Sequence, residues 1–352
     1  MDDVNAAENL VGLTLDTGWF VFEKLEKQPG DTGRFFSVCY KIRKESQICF
    51  LKAFNFAKFM HLSHSTGKPV QVVDVISEMV DAYRYERDLS ALCHDKHVTK
   101  VAIVRDSGEQ IVTGYPITLV PYLIFDLADG NIRSKLRFSE ALDAAWKLKS
   151  LHTVATGIRQ LHMIDVSHQD LKPSNILIFK EESKIGDLGR STSLSMKSRH
   201  GELPFAGDRN YAPPEILYGQ FEPDWRKRSF GADCYLFGSL VVYYFAGLSM
   251  NALLRKYLPD PVSWEQYRGP YEDVKGYVLD AFSKALNEIE DCIGDDFLRK
   301  ELRSMVEYLC FPDPAKRGHP KGIGNLGNQY DMERIITRLD FVYRKFKYEL
   351  SS

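Results

Sequence analysis

The chain has 352 residues and a formal net charge of −2, from 46 basic and 48 acidic side chains. That balance leaves no electrostatic footprint for nucleic acid or an anionic membrane surface. A hydrophobic content of 44% with 12% aromatic residues excludes wholesale disorder, and the length admits one two-lobed domain or two small ones. The six cysteines, at 39, 49, 93, 234, 292 and 310, are widely spaced with no C-x-x-C pair, which favours reduced thiols of a cytosolic protein over a disulfide framework or zinc site. No basic n-region with an apolar core opens the chain, so no secretory signal is expected.

In chain order, residues 1–17 are polar and read as a loose lead-in. Short β-rich runs at 20–25, 35–42 and 48–54, separated by turn signals, predict antiparallel hairpins. Lys52 is the one charge inside the third run. Burying an ammonium requires an anionic partner, whereas an edge-strand lysine would simply reach outward. Residues 55–70 form a polar insertion, and 72–93 shows helical periodicity without internal Gly or Pro. Further strands are expected at 98–105, 110–113 and 118–125, with 126–130 as a hinge. Beyond it the pattern turns helical, at 139–161, 235–247, 271–293 and 296–309. The apolar stretch 235–250 is too short and too interrupted by Gly and Ser for a membrane span. Residues 332–350 form an amphipathic pattern, expected to pack on the preceding helices or to bind a partner.

Residues 166–189 carry most of the functional information. Asp170 stands five residues before Asn175, and Asp187 follows twelve residues later on a Gly-bounded turn. Phosphoryl transfer from a magnesium nucleotide needs such a set: one carboxylate to orient the attacking hydroxyl, and an amide and a carboxylate as hard oxygen ligands for Mg²⁺. The runs 176–179 and 183–185 read as a hairpin holding Asn175 and Asp187 on one side.

Here the sequence resembles the eukaryotic-type (Hanks-type) protein kinases, whose catalytic loop reads H-R-D-L-K-x-x-N and whose metal loop reads D-F-G. The resemblance covers roughly residues 18–320 and implies an α+β, two-lobed kinase fold. Its β-rich N-lobe would span 18–126 and its α-helical C-lobe 127–320, with the lead-in before and an extension over 321–352. It implies ATP and Mg²⁺ as cofactors, Asp170 as the base, Lys172 on the γ-phosphate, and Asn175 and Asp187 as metal ligands. Lys52 would hold nucleotide phosphates and pair with a helix glutamate. Of Glu78 and Glu86, the latter better matches the distance to the following strand at Val98. Gly33, Phe125, Asp126 and Ala128 fall at the remaining nucleotide-binding positions. The Gly-rich loop is degraded, since Asp31 and Phe36 depart from G-x-G-x-F-G and only Gly33 and the aromatic Phe35 keep it, which implies weaker or unusual ATP binding.

The resemblance also assigns structural roles to His168, Asp233, and an ion pair between Glu215 and Arg317; an N-cap role for Asp233 is the compatible local alternative. Gln169 replaces the arginine that commonly pairs with an activation-loop phosphate, although residues 184–209 are locally basic. Asp208 stands where serine/threonine members place a threonine; it either contacts Lys172 or repels Asp170. Lys172 followed by Pro173 resembles serine/threonine rather than tyrosine members, and Lys172, Glu215 and Arg317 together imply a protein substrate. A soluble cytoplasmic protein is expected, and the Asp187-Leu-Gly189 and Pro213-Pro-Glu215 variants, with the compact size and the lack of a membrane anchor, resemble bacterial or phage-associated members. Two alternatives stand beside it: a small-molecule phosphotransferase of the same fold, and a pseudokinase scaffold.

Overall fold

Alternating burial marks the first strands. In β3 (Gln47–Phe54), Cys49, Leu51 and Ala53 point to one face while Phe50 and Lys52 point to the other, the period-2 signature of a pleated strand. The computed structural model describes residues 5–26, 37–56, 72–138, 143–198, 200–324 and 329–349. It divides into two units, one of residues 1–97, 101–129 and 186–189, the other of 98–100, 130–185 and 190–352.

The first unit is built on a five-stranded antiparallel sheet, formed by β1 (Phe20–Leu25), β2 (Ser37–Lys44), β3, β4 (Asp106–Ile111) and β5 (Leu119–Asp126), in the order β1-β2-β3-β5-β4. One face buries Val38, Tyr40, Ile42, Leu51 and Tyr122 together with Ala6, Ala7, Leu10 and Leu15. The N-terminal segment is therefore core rather than a loose lead-in: its small and branched apolar residues are buried, and the Tyr40 hydroxyl donates to the Ala7 carbonyl at 2.6 Å. Helix α1 (Val72–Asp95) covers the other face, where Met79 and Tyr83 pack with Phe54, Phe56 and Leu123.

The strand expected at 98–105 does not form, and β4 lies later, over a polar stretch. Val98, Val101 and Ala102 are buried, but the backbone makes only isolated strand contacts, with Arg105 N–H donating to the Ile124 carbonyl at 2.8 Å and Lys100 O accepting from the Ile185 N–H at 3.0 Å. Thr99 and Lys100 donate to the Gln160 side chain, and Val104 donates to the Ser90 hydroxyl. The apolar run reported burial correctly here and hydrogen bonding wrongly.

The second unit opens with β6 (Gly130–Asn131) and α2 (Ile132–Phe138), a helix the sequence reading did not foresee. Helix α3 (Ala144–Met163) starts at an N-cap, Asp143, which accepts from the Ala145 N–H at 3.0 Å. Strand β7 (Val166–Ser167) leads into the hairpin of β8 (Ile176–Phe179) and β9 (Glu182–Ile185), and pairs with β10 (Thr192–Ser193). The rest is helical: α4 (Pro214–Leu217), α5 (Trp225–Ala246), α6 (Met250–Tyr257), α7 (Tyr271–Asp291), α8 (Asp296–Cys310) and α9 (Glu333–Glu349).

Helix α5 begins ten residues before its expected start, capped by Asp224 and closed by Gly247 at φ 73°. Asp233 thus lies mid-helix and is no N-cap. Helix α9 packs along α3, burying Ile335, Leu339 and Val342, each worth roughly 1.5–3 kcal/mol of transfer free energy. Among the described residues no single helix is long and apolar enough to cross a membrane.

Candidate active site

In the first unit, period-2 geometry turns Lys52 toward the face covered by α1. The buried stripe of α1 runs Met79, Tyr83, Glu86, Ser90 and Cys93 at helical spacing, so Glu86 faces the sheet while Glu78 is exposed. The Lys52 ammonium contacts both Glu86 oxygens at 2.8 Å and the Asp187 Oδ1 at 3.0 Å. Burial opposes the ammonium charge, but the carboxylates of Asp187 and Glu86 outweigh it and hold the Lys52 pKa well above its ordinary value. Asp187 adopts φ 60°, and Leu188 beside it is buried. A Cβ on Gly189 would sit 3.1 Å from Glu86 Oε2 and 3.3 Å from Asp187 Oδ1, so a side chain there would crowd the charged cluster.

The other nucleotide positions divide. Phe125, next to last in β5, lies against Phe50 at 6.3 Å between ring centroids. Asp126 is exposed and pairs with Arg105 at 2.7 Å, and Ala128 follows in the connection beyond β5. Gly33 and its loop lie outside the described residues.

In the second unit the loop after β7 is held from below by Asp233. Its Oδ1 accepts from the Gln169 N–H at 2.8 Å; its Oδ2 accepts from the His168 N–H at 2.9 Å and the Ser167 hydroxyl at 2.8 Å. His162 Nε2 lies 2.9 Å from the same oxygen, its ring stacked on Phe230 at 3.9 Å. Burial would raise the Asp233 carboxyl, but the His162 hydrogen bond, the two histidine charges and the Gln169 N–H hold it below the usual aspartate value. Sequence reasoning missed His162, Ser167 and Ser229. A lone histidine late in a helix carries no signal until the position of Asp233 is known.

Gln169, at φ 64° and buried, donates its side-chain amide to the Ser167 hydroxyl and the Ser229 carbonyl. His168 is fully buried, its Nδ1 3.3 Å from the Asp170 N–H. Asp170 gathers the reactive groups. Lys172 Nζ lies 3.0 Å from its Oδ2, and Asn175 Nδ2 donates to that oxygen at 3.0 Å and to the Asp170 carbonyl at 2.8 Å. The Asn175 amide oxygen, which accepts from the Ser174 hydroxyl at 3.5 Å, is a hard donor of the kind Mg²⁺ takes. The Asp208 N–H donates to Asp170 Oδ1 at 2.9 Å, and Asp208 Oδ2 is 3.6 Å from Lys172 Nζ. Both sequence alternatives for Asp208 are thereby decided in favour of contact with Lys172.

Further along, Glu215 on α4 meets Arg317 in two 2.7 Å bonds. Arg317 is fully buried, donates also to the Phe311 and Gly231 carbonyls, and lies over the Tyr235 ring.

Residues 64–321 match the family model described as the protein kinase domain, and the chain belongs to that family. It is 34% identical over 123 residues to a probable serine/threonine-protein kinase of Encephalitozoon cuniculi, a match covering 35% of this chain and 21% of the relative. It is 26% identical over 202 residues to Aurora/IPL1-related protein kinase 2 of Caenorhabditis briggsae, covering 56% and 55%. Against mitogen-activated protein kinase 4a of Physcomitrium patens it is 28% identical over 159 residues, covering 43% and 40%. The matches thus span between about a fifth and about half of these relatives' lengths.

Proposed function

We propose that this protein is an ATP- and Mg²⁺-dependent serine/threonine protein kinase. The observation that carries the reading is the Asp170 cluster, a carboxylate fixed by Asn175 and Lys172 on a loop whose backbone N–H groups are tied to a buried aspartate. When bound, magnesium ATP supplies the γ-phosphoryl group. Asp170 orients the acceptor hydroxyl and takes its proton, and Lys172 neutralises charge where the phosphoryl group transfers. Lys52, kept in place by Glu86, positions nucleotide phosphates; Asn175 and Asp187 supply oxygen ligands for the cation. The Glu215–Arg317 pair and the proline-rich turn before it favour a protein acceptor over a small molecule, as do the relatives' names.

Transfer of labelled γ-phosphate to serine/threonine peptides tests the reading. Asp187→Asn is nearly isosteric but removes the negative charge, so it should abolish magnesium-dependent transfer while leaving circular dichroism unchanged. Undiminished transfer by this variant would sink the metal assignment.

A further inference from the structure

Two segments of the second unit that border Asp170 are basic, in a chain whose overall charge is −2. Residues 130–138 carry Arg133, Lys135 and Arg137 and no acid. Residues 190–211 carry four lysines and arginines against Glu202 and Asp208. Their placement ties both to the base. Helix α2 packs against the turn Pro173–Asn175 of the catalytic loop. Its Arg133 guanidinium donates to the Tyr211 hydroxyl at 3.2 Å, and the Tyr211 N–H bonds to the Asp208 carbonyl at 2.9 Å. Asp208 in turn donates its N–H to Asp170. A peptide that brings a hydroxyl to Asp170 therefore passes over these two segments.

The positive charge along this rim is held mostly by uncharged groups. Arg137 follows Arg133 by one helical turn, and the two guanidiniums bear on the same phenol: burial raises Tyr243, and both charges oppose that rise. Lys135 lies over the Trp146 ring at 5.9 Å. Arg190 and Arg228 donate to the carbonyls of Ala206 and Gly201. Among the described residues neither they nor the exposed Arg209 make an ion pair, whereas Arg226 nearby sits bidentate on Asp165. A carbonyl satisfies a guanidinium's hydrogen bonds without cancelling its charge, so the rim keeps a positive field. The carboxylates of Asp170 and Asp208 both face Lys172.

We propose that the acceptor is an acidic peptide, a serine or threonine flanked by aspartate or glutamate residues that are held by Arg133, Arg137 and Arg209. This rests on the kinase reading above and adds the substrate class to it. A neutral hydroxyl meets Asp170, and carboxylates on either side of it meet the guanidiniums of the rim.

The test compares kcat/KM, with phosphatase-treated protein, on peptides that differ only in whether acidic, neutral or basic residues flank one serine. The acidic peptide should exceed the basic one by about tenfold or more, chiefly through KM, and the preference should shrink as salt is raised. Arg137→Glu and Arg209→Glu, at exposed positions, should each cancel or reverse the preference. Arg137→Lys should keep it, as should Lys284→Glu on the distant surface of α7. No preference in the wild type, a preference for the basic peptide, or one unmoved in both Arg→Glu variants would overturn the proposal. So would a rise in the KM for ATP in those variants with peptide preference intact, which would give the cations to the nucleotide. A readout independent of turnover is the fluorescence anisotropy of labelled peptides carrying alanine in place of the serine. The acidic one should bind more tightly than the basic one, and equal binding overturns the proposal. Tighter binding of the acidic peptide by a protein that phosphorylates none of them would overturn the kinase reading while supporting the acidic-peptide surface.

Discussion

Lys52 is the residue on which the first unit's chemistry converges, since three carboxylate oxygens lie within 3.0 Å of its ammonium. Lys52→Ala should lower phosphoryl transfer at least about a hundredfold, the usual cost of removing one preorganised charge. Glu86→Ala should follow it, because Lys52 then keeps only its contact with Asp187 and loses the two bonds that fix it to α1, whereas exposed Glu78→Ala should leave kcat/KM near wild type. Steady-state kinetics on the three variants decides the matter; a sensitive Glu78 would reassign the pair. Asp233 gives a residue-scale prediction in pH. Its folded carboxyl lies below the ordinary value of 3.8, so its stabilisation is fully present above that value and is lost as pH falls through the lower folded one. Asp233→Asn should be less stable at neutral pH and should show a flatter acid limb in urea unfolding. An acid limb as steep as wild type would assign it to other carboxylates.

At the scale of elements, two arginines tie down the segment after Asp187. The Arg190 guanidinium donates to the Ala206 carbonyl at 2.9 Å, and Arg228 donates to the Gly201 carbonyl at 3.2 Å. Gln169, where a cation would be needed to pair with a phosphate, is buried and committed to Ser167 and Ser229. Of the serines in this segment, Ser191 and Ser193 are buried and Ser195 is exposed. Phosphatase-treated enzyme should therefore keep most of its rate on an exogenous peptide. A near-complete loss, restored by autophosphorylation, would show that another cation has taken over the missing arginine's work.

At the scale of the whole molecule, Glu215 and Arg317 join positions 102 residues apart in sequence. Burial pulls the Arg317 guanidinium down, but the Glu215 carboxylate outweighs it and holds the guanidinium above its already high value. Glu215→Ala should cost about 3–5 kcal/mol, because it strands a buried cation, while replacing both partners with apolar residues should cost much less. Chemical denaturation of the single and double variants measures the difference. Equal losses in both would mean that packing, rather than the stranded charge, sets the cost.

Sequence alone determined four of the five strands of the first sheet and four of the long helices, because these rest on local periodicity, while most of the proposed site residues came from resemblance to a known family. The sequence favours Glu86 over Glu78 by its distance to a strand expected at Val98; that strand does not form, and the stripe of Met79 and Tyr83 on α1 is what turns Glu86 toward the sheet. The early start of α5 was not legible, since its first turn is polar and solvent-facing and its buried residues begin at Ser229. Residues 98–105 failed for the opposite reason: they are buried like a strand, but Gln160 and Ser90 supply hydrogen bonds that no local pattern records. Only the tertiary structure decided that residues 5–15 are core, that Asp233 grips the catalytic loop beside His162, and that Asp208 sides with Lys172. Each depends on groups far apart in the chain, whose distances are set by packing rather than by spacing along it.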